Sequence, residues 1–530
     1  MKKSSFIYVT LLLFLASPFL KVHVQAEQEK SSVLEHVNKS VFAVLFFDVA
    51  GGTIQIPAYN RDGTPVLDAM GQPEQKTVAI PFLIVVLLFG SILFTCWYRW
   101  INIRGFKHAI EVIKGTYDKP GDTGEITHFR ALTSALSATV GLGNIAGVAV
   151  AIQLGGPGAV FWMWCAALFG MTAKFSSCTL AQMYRKTNAD GSISGGPMYY
   201  LDIGLKEKGV GWGILGKVLA VMSAFMIMGG AIGGGNMFQS NQVVEAFTST
   251  FSLNEKAPLG IGLTMAILVG AVILGGIKRV GAATSRIVPL MCGLYVLACL
   301  FVIFTHLSEL PATFGLIFKM AFTNNALYGG VIGVLVWGIK RAAFSNEAGS
   351  GSAAIAHAAA KTEEPVREGL VAMIGPFVDT IVVCTMTALV VIITGTWNNP
   401  EILAARGNIG VTLTTEAFRS VIDWFPYILT GCIGLFAYST MISWCYYGER
   451  GWIYLFDHFN GAGLKTVIIF RIVFVAFILV GALNPLDDVL DFSDAMILSM
   501  AFPNIVGSII LAPKVLEFVK DYWKRYQTAT

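Results

Sequence analysis

Gly141-Leu142-Gly143-Asn144 and, far downstream, Phe344-Ser345-Asn346-Glu347-Ala348-Gly349-Ser350-Gly351-Ser352 are the two stretches that decide the fold. Each interrupts an apolar run of membrane-crossing length. Each is built from residues that disfavour a helix interior, Gly by backbone entropy and Asn and Ser by competing for the backbone's hydrogen bonds. In hydrocarbon such a break leaves amides and carbonyls unpaired, at several kcal/mol each, unless something satisfies them. A half-helix that begins at a break presents N–H groups and a positive dipole end, suited to a carboxylate. One that ends there presents carbonyls, suited to a cation. A site joining both kinds of end fits a small zwitterion beside a sodium ion, with the amides of Leu142 to Asn144 as the expected carboxylate cradle.

Composition makes lipid the solvent. Of 530 residues, 55% are hydrophobic and 13% charged, with a mean hydropathy of +0.66. A soluble domain carries about 25% charged residues, so no soluble fold of this length covers so much apolar surface. The eight cysteines all lie in apolar stretches without a CxxC pair, which reads as buried free thiols. The seven histidines include no pair four apart, which excludes a zinc helix of the HExxH kind. Gly141, Gly143 and Gly147 are spaced one residue too long for a dinucleotide fingerprint, and Val218 stands where a phosphate loop needs Ser or Thr. No catalytic residue, enzyme activity, cofactor or nucleic-acid partner is expected.

Residues 1–26 read as a secretory signal: Lys2 and Lys3, an apolar run from Phe6 to Leu20, and Val24-Gln25-Ala26 as a cleavage site. The apolar run is short for a span, which favours cleavage over a retained anchor. Residues 27–80 form an extracytoplasmic segment in which Thr53–Ile56 and Pro65–Leu67 are expected to pair around an Asp62-Gly63 turn. The transporter domain then occupies 81–515, with a leader helix at 81–103 and a core at 131–513, before a cytoplasmic tail at 516–530. Eleven spans are expected, ten of them in the core near 131–155, 158–183, 214–246, 258–277, 285–306, 329–356, 368–395, 422–447, 464–484 and 489–513. With residues 27–80 outside, the basic clusters at Arg99–Lys114, Arg185-Lys186, Lys278–Arg286, Lys361–Arg367, Arg450 and Lys514–Arg525 all fall inside, as the positive-inside rule requires. The C-terminus is then cytoplasmic, and the chain belongs to the plasma (inner) membrane.

The breaks occupy the first and sixth of the ten core spans. That spacing is the mark of two five-span repeats inserted in opposite orientation, a 5+5 all-α polytopic core, with a transporter site at the repeat interface. A channel would instead need a repeated filter loop or a ring of like charges. In span three, Gln239 and Asn241 read either as solute contacts or as polar glue between helices. In span eight, Ser439 and Thr440 are suitable hard ligands for Na⁺, although adjacent hydroxyls also bond back to their own helix. Lys174, Glu347 and Asp379 are ionisable at membrane depth and are candidates for function by default. Lys340 and Arg341 precede the second break, and an ion pair of Glu347 with them is expected to shape span six. Were a proton the coupled ion, Glu347 or Asp379 would carry it.

These residues resemble the alanine/glycine:cation symporter family. The matching stretches are GLGNIAGVAVAIQLGGPGAVFWMW (141–164), GGPMYYL (195–201), RAAFSNEAGSGSAAIAHAAAKT (341–362) and FAYSTMISWCYYGER (436–450), and the likeness covers roughly 80–515. The resemblance implies a LeuT-like fold and sodium-driven import of alanine or glycine by alternating access. It places the solute among spans one, three, six and eight, with Gly141, Leu142, Gly143, Asn144, Gln239, Asn241, Trp337, Phe344 and Asn346 as contacts. It places sodium between span one, at Thr139 and Gly141, and the hydroxyls of Ser439 and Thr440. Two departures stand out: Leu142 where the family usually has Thr, and Ser176-Ser177-Cys178 where it often has an acidic residue.

Overall fold

The computed structural model describes residues 47–57, 67, 72, 74–188, 191–273, 276–323, 329–400, 402, 410–457 and 461–529. The signal-like residues 1–26 and the Asp62-Gly63 pair lie outside the described residues.

Two short strands come first, β1 (Gln55–Pro57) and β2 (Gln75–Thr77), paired antiparallel with Ile56 opposite Lys76. The expected strand around Ile56 forms and pairs with Gln75–Thr77, while Pro65 and Val66 of its expected partner lie outside the described residues. Asp48 ties this segment to the first helix. Its carboxylate accepts the backbone N–H groups of Ala50 (2.9 Å), Gly52 (2.7 Å) and Ile80 (2.8 Å). Those donors, Ile80 foremost, hold its pKa below the usual carboxylate value.

Among the described residues the rest is mainly helical, with a second small ribbon, β3 (Lys186–Thr187) with β4 (Ile193–Ser194). The helices before that ribbon are α1 (Phe82–Trp97), α2 (Ile101–Arg104), α3 (Phe106–Ile113), α4 (His128–Thr139), α5 (Val148–Gly155) and α6 (Ala159–Met183). Then follow α7 (Pro197–Lys206), α8 (Val210–Ile232), α9 (Phe238–Phe251), α10 (Ala257–Ile273), α11 (Gly276–Thr305) and α12 (Leu310–Phe322). The sixth span is α13 (Gly330–Asn346) plus α14 (Ala353–His357), and the seventh is α15 (Pro365–Pro376) plus α16 (Thr385–Ile393). The chain continues with α17 (Gly410–Arg419), α18 (Phe425–Asp457), α19 (Ala462–Leu483), α20 (Leu486–Ser499) and α21 (Ala501–Ala529).

Among the described residues, seven helices are long and apolar enough to cross a membrane, or eight if the bent pair α4 and α5 counts as one span. The expected count of eleven is therefore not reached by length and composition. The leader α1 and span four, α10, are apolar but only 16 and 17 residues long. Span six falls short because its break divides it.

Three spans among the described residues contain a wide, π-type turn: Gly143–Gly147 between α4 and α5, Gly233–Met237 between α8 and α9, and Phe377–Cys384 between α15 and α16. Such turns are frequent at functional sites and take backbone groups out of the regular ladder. The first two begin on glycines, and the third follows Pro376, which cannot donate to the ladder.

Candidate functional site

The first break begins where α4 ends at Thr139, and α5 departs at 56° to it. Asn144 holds this bend together. Its side-chain oxygen accepts the Gly141 amide (3.0 Å), and its side-chain nitrogen donates to the Asp379 carbonyl (3.2 Å) and the Cys384 sulfur (3.4 Å). Its own carbonyl accepts the Thr387 hydroxyl (2.8 Å). One fully buried side chain thus binds the break of span one to the distorted turn of span seven. The cradle amides have internal acceptors: Leu142 N–H donates to Gln239 Oε1 (3.2 Å), and Asn144 N–H to the Gly141 carbonyl (3.2 Å). Gln239 also donates to the Gly234 carbonyl (2.9 Å), so it joins the breaks of spans one and three.

Span eight closes the other side. A Cβ added at Gly141 would lie 2.5 Å from Thr440 Oγ1 and 3.2 Å from Gln239 Oε1, so the approach needs glycine. Thr440 donates across to the Ser137 carbonyl (3.0 Å). Ser137 donates to the Ser439 carbonyl (2.8 Å), Ser443 donates to Ser137 (3.0 Å), and Trp444 donates to the Ala138 carbonyl (3.2 Å). Two spans facing each other through carbonyls and hydroxyls make a dense patch of hard oxygens, the ligand type that hard cations take. Of the four expected sodium residues, Gly141 and Thr440 meet directly. Ser439 turns its hydroxyl back to the Phe436 carbonyl (3.0 Å) and presents its carbonyl instead. Thr139 bonds back to the Ala135 carbonyl (3.3 Å). Ser137, two residues earlier, faces span eight in its place.

The other expected solute residues divide. Phe344 is buried, meets the Phe238 ring edge-on with centroids 5.1 Å apart, and lies 3.3 Å from a Cβ built at Gly143. Asn346 accepts the Ala348 amide (2.9 Å) and donates to Thr380 (2.9 Å), which makes it the cap of the second break. Asn241 points elsewhere, donating to the Gly481 (3.2 Å) and Asn484 (2.9 Å) carbonyls at the end of α19. Trp337 packs near Gly155, at the far end of α5 from the break, with the Lys340 ammonium 4.9 Å from its ring.

The second break turns on Glu347, whose φ of 55° is left-handed, a conformation that costs a non-glycine residue about 1–3 kcal/mol. The surroundings hold it: Ser352 donates to its carboxylate, and Ser350 donates to its carbonyl (2.7 Å). Beyond it, Asn504 donates to the Gly349 carbonyl (2.7 Å). The expected pair of Glu347 with Lys340 and Arg341 is not formed. Both cations instead meet Asp494 of α20, Lys340 at 2.7 Å and Arg341 in direct contact. The reversal of the backbone at Glu347 carries its side chain away from the α13 face on which they stand. Lys174 donates to the Asn346 carbonyl (3.0 Å), capping the C-terminal end of α13.

Asp379 is fully buried in the span-seven turn. One carboxylate oxygen accepts Ser345 (2.7 Å) and Thr380 (2.9 Å), and the other has no hydrogen-bond partner among the described residues. With Asn144 on its backbone carbonyl, it stands where spans one, six and seven meet. A second buried carboxylate, Glu368, is clamped between two histidines. His357 of α14 donates to it at 2.5 Å, and His128 at the start of α4 donates to its other oxygen. This cluster lies where α4 begins, α14 ends and α15 begins. The sequence singles out none of Ser137, Asp494 and the His128–Glu368–His357 cluster, since each acts through a partner remote in the chain.

Comparisons with known proteins identify the family. The family profile described as the sodium:alanine symporter family matches residues 65–530. The sodium/alanine symporter AgcS of Methanococcus maripaludis is 42% identical over 443 residues, covering 83% of this chain and 94% of its own. The amino-acid carrier protein AlsT of Bacillus subtilis is 33% identical, covering 84% of this chain and 90% of its own. Among solved structures, MhsT in complex with L-phenylalanine matches with a TM-score of 0.50 at 16% identity, over 74% of this chain and 99% of that one. That likeness concerns the fold, which is therefore LeuT-like. A membrane-embedded, largely helical chain with two broken spans facing one another, matched over most of its length, belongs to the sodium:alanine symporter family and is a cation-coupled amino-acid symporter, not an enzyme.

Proposed function

We propose that this chain imports small neutral amino acids, alanine and glycine, with Na⁺ as the coupling ion and by alternating access across the plasma membrane. The observation that carries the reading is the convergence of Gly141, Gln239 and Thr440 on the break of span one. In this reading Na⁺ takes the carbonyls of span one and the hydroxyl of Thr440, and displaces the Thr440–Ser137 hydrogen bond. The solute's carboxylate takes the Leu142 amide from Gln239, whose side chain is then free to turn to the solute. A small solute suits the walls. A Cβ at Gly143 would lie 3.3 Å from Phe344, and one at Gly234 or Gly235 would run into Ile497 or Trp444, so little room exists for a long side chain.

Binding both ligands organises the breaks, and the differential affinity of the two states for them drives the exchange of access. Residues 27–80 outside and the C-terminus inside follow from the distribution of Lys and Arg. One observation favours a second coupling ion, a proton: the unpartnered oxygen of buried Asp379 is a place to carry it. Uptake of radiolabelled alanine, glycine and serine into proteoliposomes, with Na⁺ exchanged for K⁺ at two pH values, decides between them. Sodium coupling requires uptake to collapse in K⁺ at both pH values. Uptake that persists in K⁺ at the lower pH assigns the coupling to a proton, with Asp379 as its carrier.

A further inference from the structure

The basic residues gathered by the topology are not spread evenly along the inner face. Arg99 and Arg104, just after the leader helix α1, and Lys520 and Lys524, on the last turns of α21, line one cavity of about 300 Å³. More than four hundred residues separate the two pairs in sequence, and the packing of α21 along α1 brings them together. Arg99 and Trp100 both have left-handed φ, 53° and 57°, which turns the chain sharply out of α1 into α2. The Arg104 guanidinium reaches back to the Arg99 carbonyl (3.4 Å). The floor between the four cations is apolar: Ile101, Leu516, Val519 and Trp523.

Two neighbouring cations on this face are paired, Lys514 with Glu207 at 2.6 Å and Arg525 with Glu364 and with Asp521 at 2.9 Å. Arg99, Arg104 and Lys520 form no ion pair among the described residues, and the nearby Asp521 carboxylate is held by Arg525. Three unbalanced cations around one cavity favour an anion there, and the walls show where it comes from. Trp100, Ile103 and Phe518, beside the basic residues, are 43%, 61% and 40% exposed. Large apolar groups exposed beside basic ones mark the level where acyl chains give way to headgroups. Basic pockets between helices on the cytoplasmic side are suited to anionic headgroups.

We propose that this cavity binds the phosphate-bearing headgroup of an anionic phospholipid, with Arg99, Arg104, Lys520 and Lys524 around the phosphate and the acyl chains lying over Ile103 and Phe518. The bound lipid would clasp the leader helix to the C-terminal helix. Neither helix carries a proposed solute or ion contact, although Asn504 of α21 braces the second break, so the lipid acts on the frame that surrounds the breaks rather than on the ligands.

The test uses the full-length protein, delipidated in a neutral detergent and titrated with short-chain phosphatidylglycerol, phosphatidylcholine or inorganic phosphate while thermal unfolding is followed. Phosphatidylglycerol is expected to raise Tm saturably; phosphatidylcholine and inorganic phosphate are not. The quadruple variant R99Q/R104Q/K520Q/K524Q should melt near the wild type without lipid yet require at least about tenfold more phosphatidylglycerol for the same shift. K206Q/K208Q, which removes two exposed lysines of α7 and the turn after it, should respond as the wild type does. Equal shifts with phosphatidylcholine, or an undiminished response of the quadruple variant, would overturn the proposal. So would an equal loss in K206Q/K208Q, which would reduce the effect to bulk surface charge. A saturable shift with inorganic phosphate alone would replace the lipid with a soluble anion. Should the quadruple variant fail to fold, the pairs R99Q/R104Q and K520Q/K524Q carry the same reading separately.

Discussion

Gly141 lies against Thr440 so closely that a methyl group on it would stand 2.5 Å from the threonine hydroxyl oxygen. The obstacle is a short β-branched side chain buried on a packed helix, which has little freedom to withdraw. Gly141→Ala should therefore cost about 1–3 kcal/mol of stability, the usual range for overpacking a core, and abolish alanine uptake. Thr440→Ala removes the obstacle and also the proposed sodium ligand. The double variant G141A/T440A should recover most of the lost thermal stability while remaining unable to use Na⁺. Thermal unfolding and the sodium dependence of uptake, read together on all three variants, check this. Full recovery of transport in the double variant would remove Thr440 from the ion's path.

Asn144 bonds to the first break with its oxygen and to span seven with its nitrogen. Asn144→Ala leaves the Gly141 amide with only the i–2 contact to the Thr139 carbonyl at 2.9 Å and leaves the Asp379 carbonyl without the Asn144 donor, and each buried hydrogen bond lost costs about 0.5–1.5 kcal/mol. Uptake should be lost and Tm should fall. Asn144→Asp keeps the acceptor for Gly141 but loses the donor to Asp379, and it places a second carboxylate beside one already buried. It should fold less well than Asn144→Ala at neutral pH. Near-normal uptake by either variant would take the site away from this break.

The two breaks are legible because Gly, Asn and Ser inside apolar runs are local signals, and local signals survive in a linear sequence. Their partners are not. Asp494 is 153 residues from Arg341, so the nearer Glu347 reads as its counter-ion, and only the left-handed turn at Glu347 reveals why that pairing fails. The ambiguity between Gln239 and Asn241 has an answer in helix geometry. Residues two apart on an α-helix point about 200° from each other, so both could not face one site. Ser439 and Thr440 differ by about 100° by the same rule, and only the Thr440 hydroxyl reaches span one. The third distorted turn, Phe377–Cys384, has Pro376 as its signal, placed just ahead of Asp379.

Asp494 carries two cations at once, Lys340 and Arg341, and is itself fully buried. Asp494→Asn leaves a buried guanidinium without its counter-charge, and breaking a buried pair from one side costs about 3–5 kcal/mol. The expected result is a protein that expresses poorly or melts far below the wild type. Glu347→Gln, by contrast, should retain the wild-type Tm to within a few degrees, because Ser352 can still donate to the amide oxygen and Glu347 makes no direct ion pair among the described residues. Thermal unfolding of the two variants side by side checks the reassignment. A larger loss for Glu347→Gln would restore the pairing expected from the sequence.

The cluster of His128, Glu368 and His357 predicts a conformational effect remote from the ligands. It joins the start of α4, the end of α14 and the start of α15, and in the proposed orientation these are the halves of spans one and six on the inner side of the breaks. For the solute to leave inward, those half-helices must part, and a carboxylate shared by two of them resists the parting. Replacing it biases the protein towards the inward-open state before any ligand binds. The apparent affinity for an external ligand falls in proportion to the fraction of protein still in the state that binds it. Glu368→Ala should therefore raise the external Na⁺ concentration for half-maximal alanine uptake by about fivefold or more, although Glu368 touches neither ligand site. Glu368→Gln can still accept a hydrogen bond from one histidine and should fall between the two. The sodium dependence of initial uptake rates in right-side-out vesicles measures this. A half-saturation unchanged in Glu368→Ala, in a protein that still folds, would show that the cluster holds the fold together without holding the inner path shut.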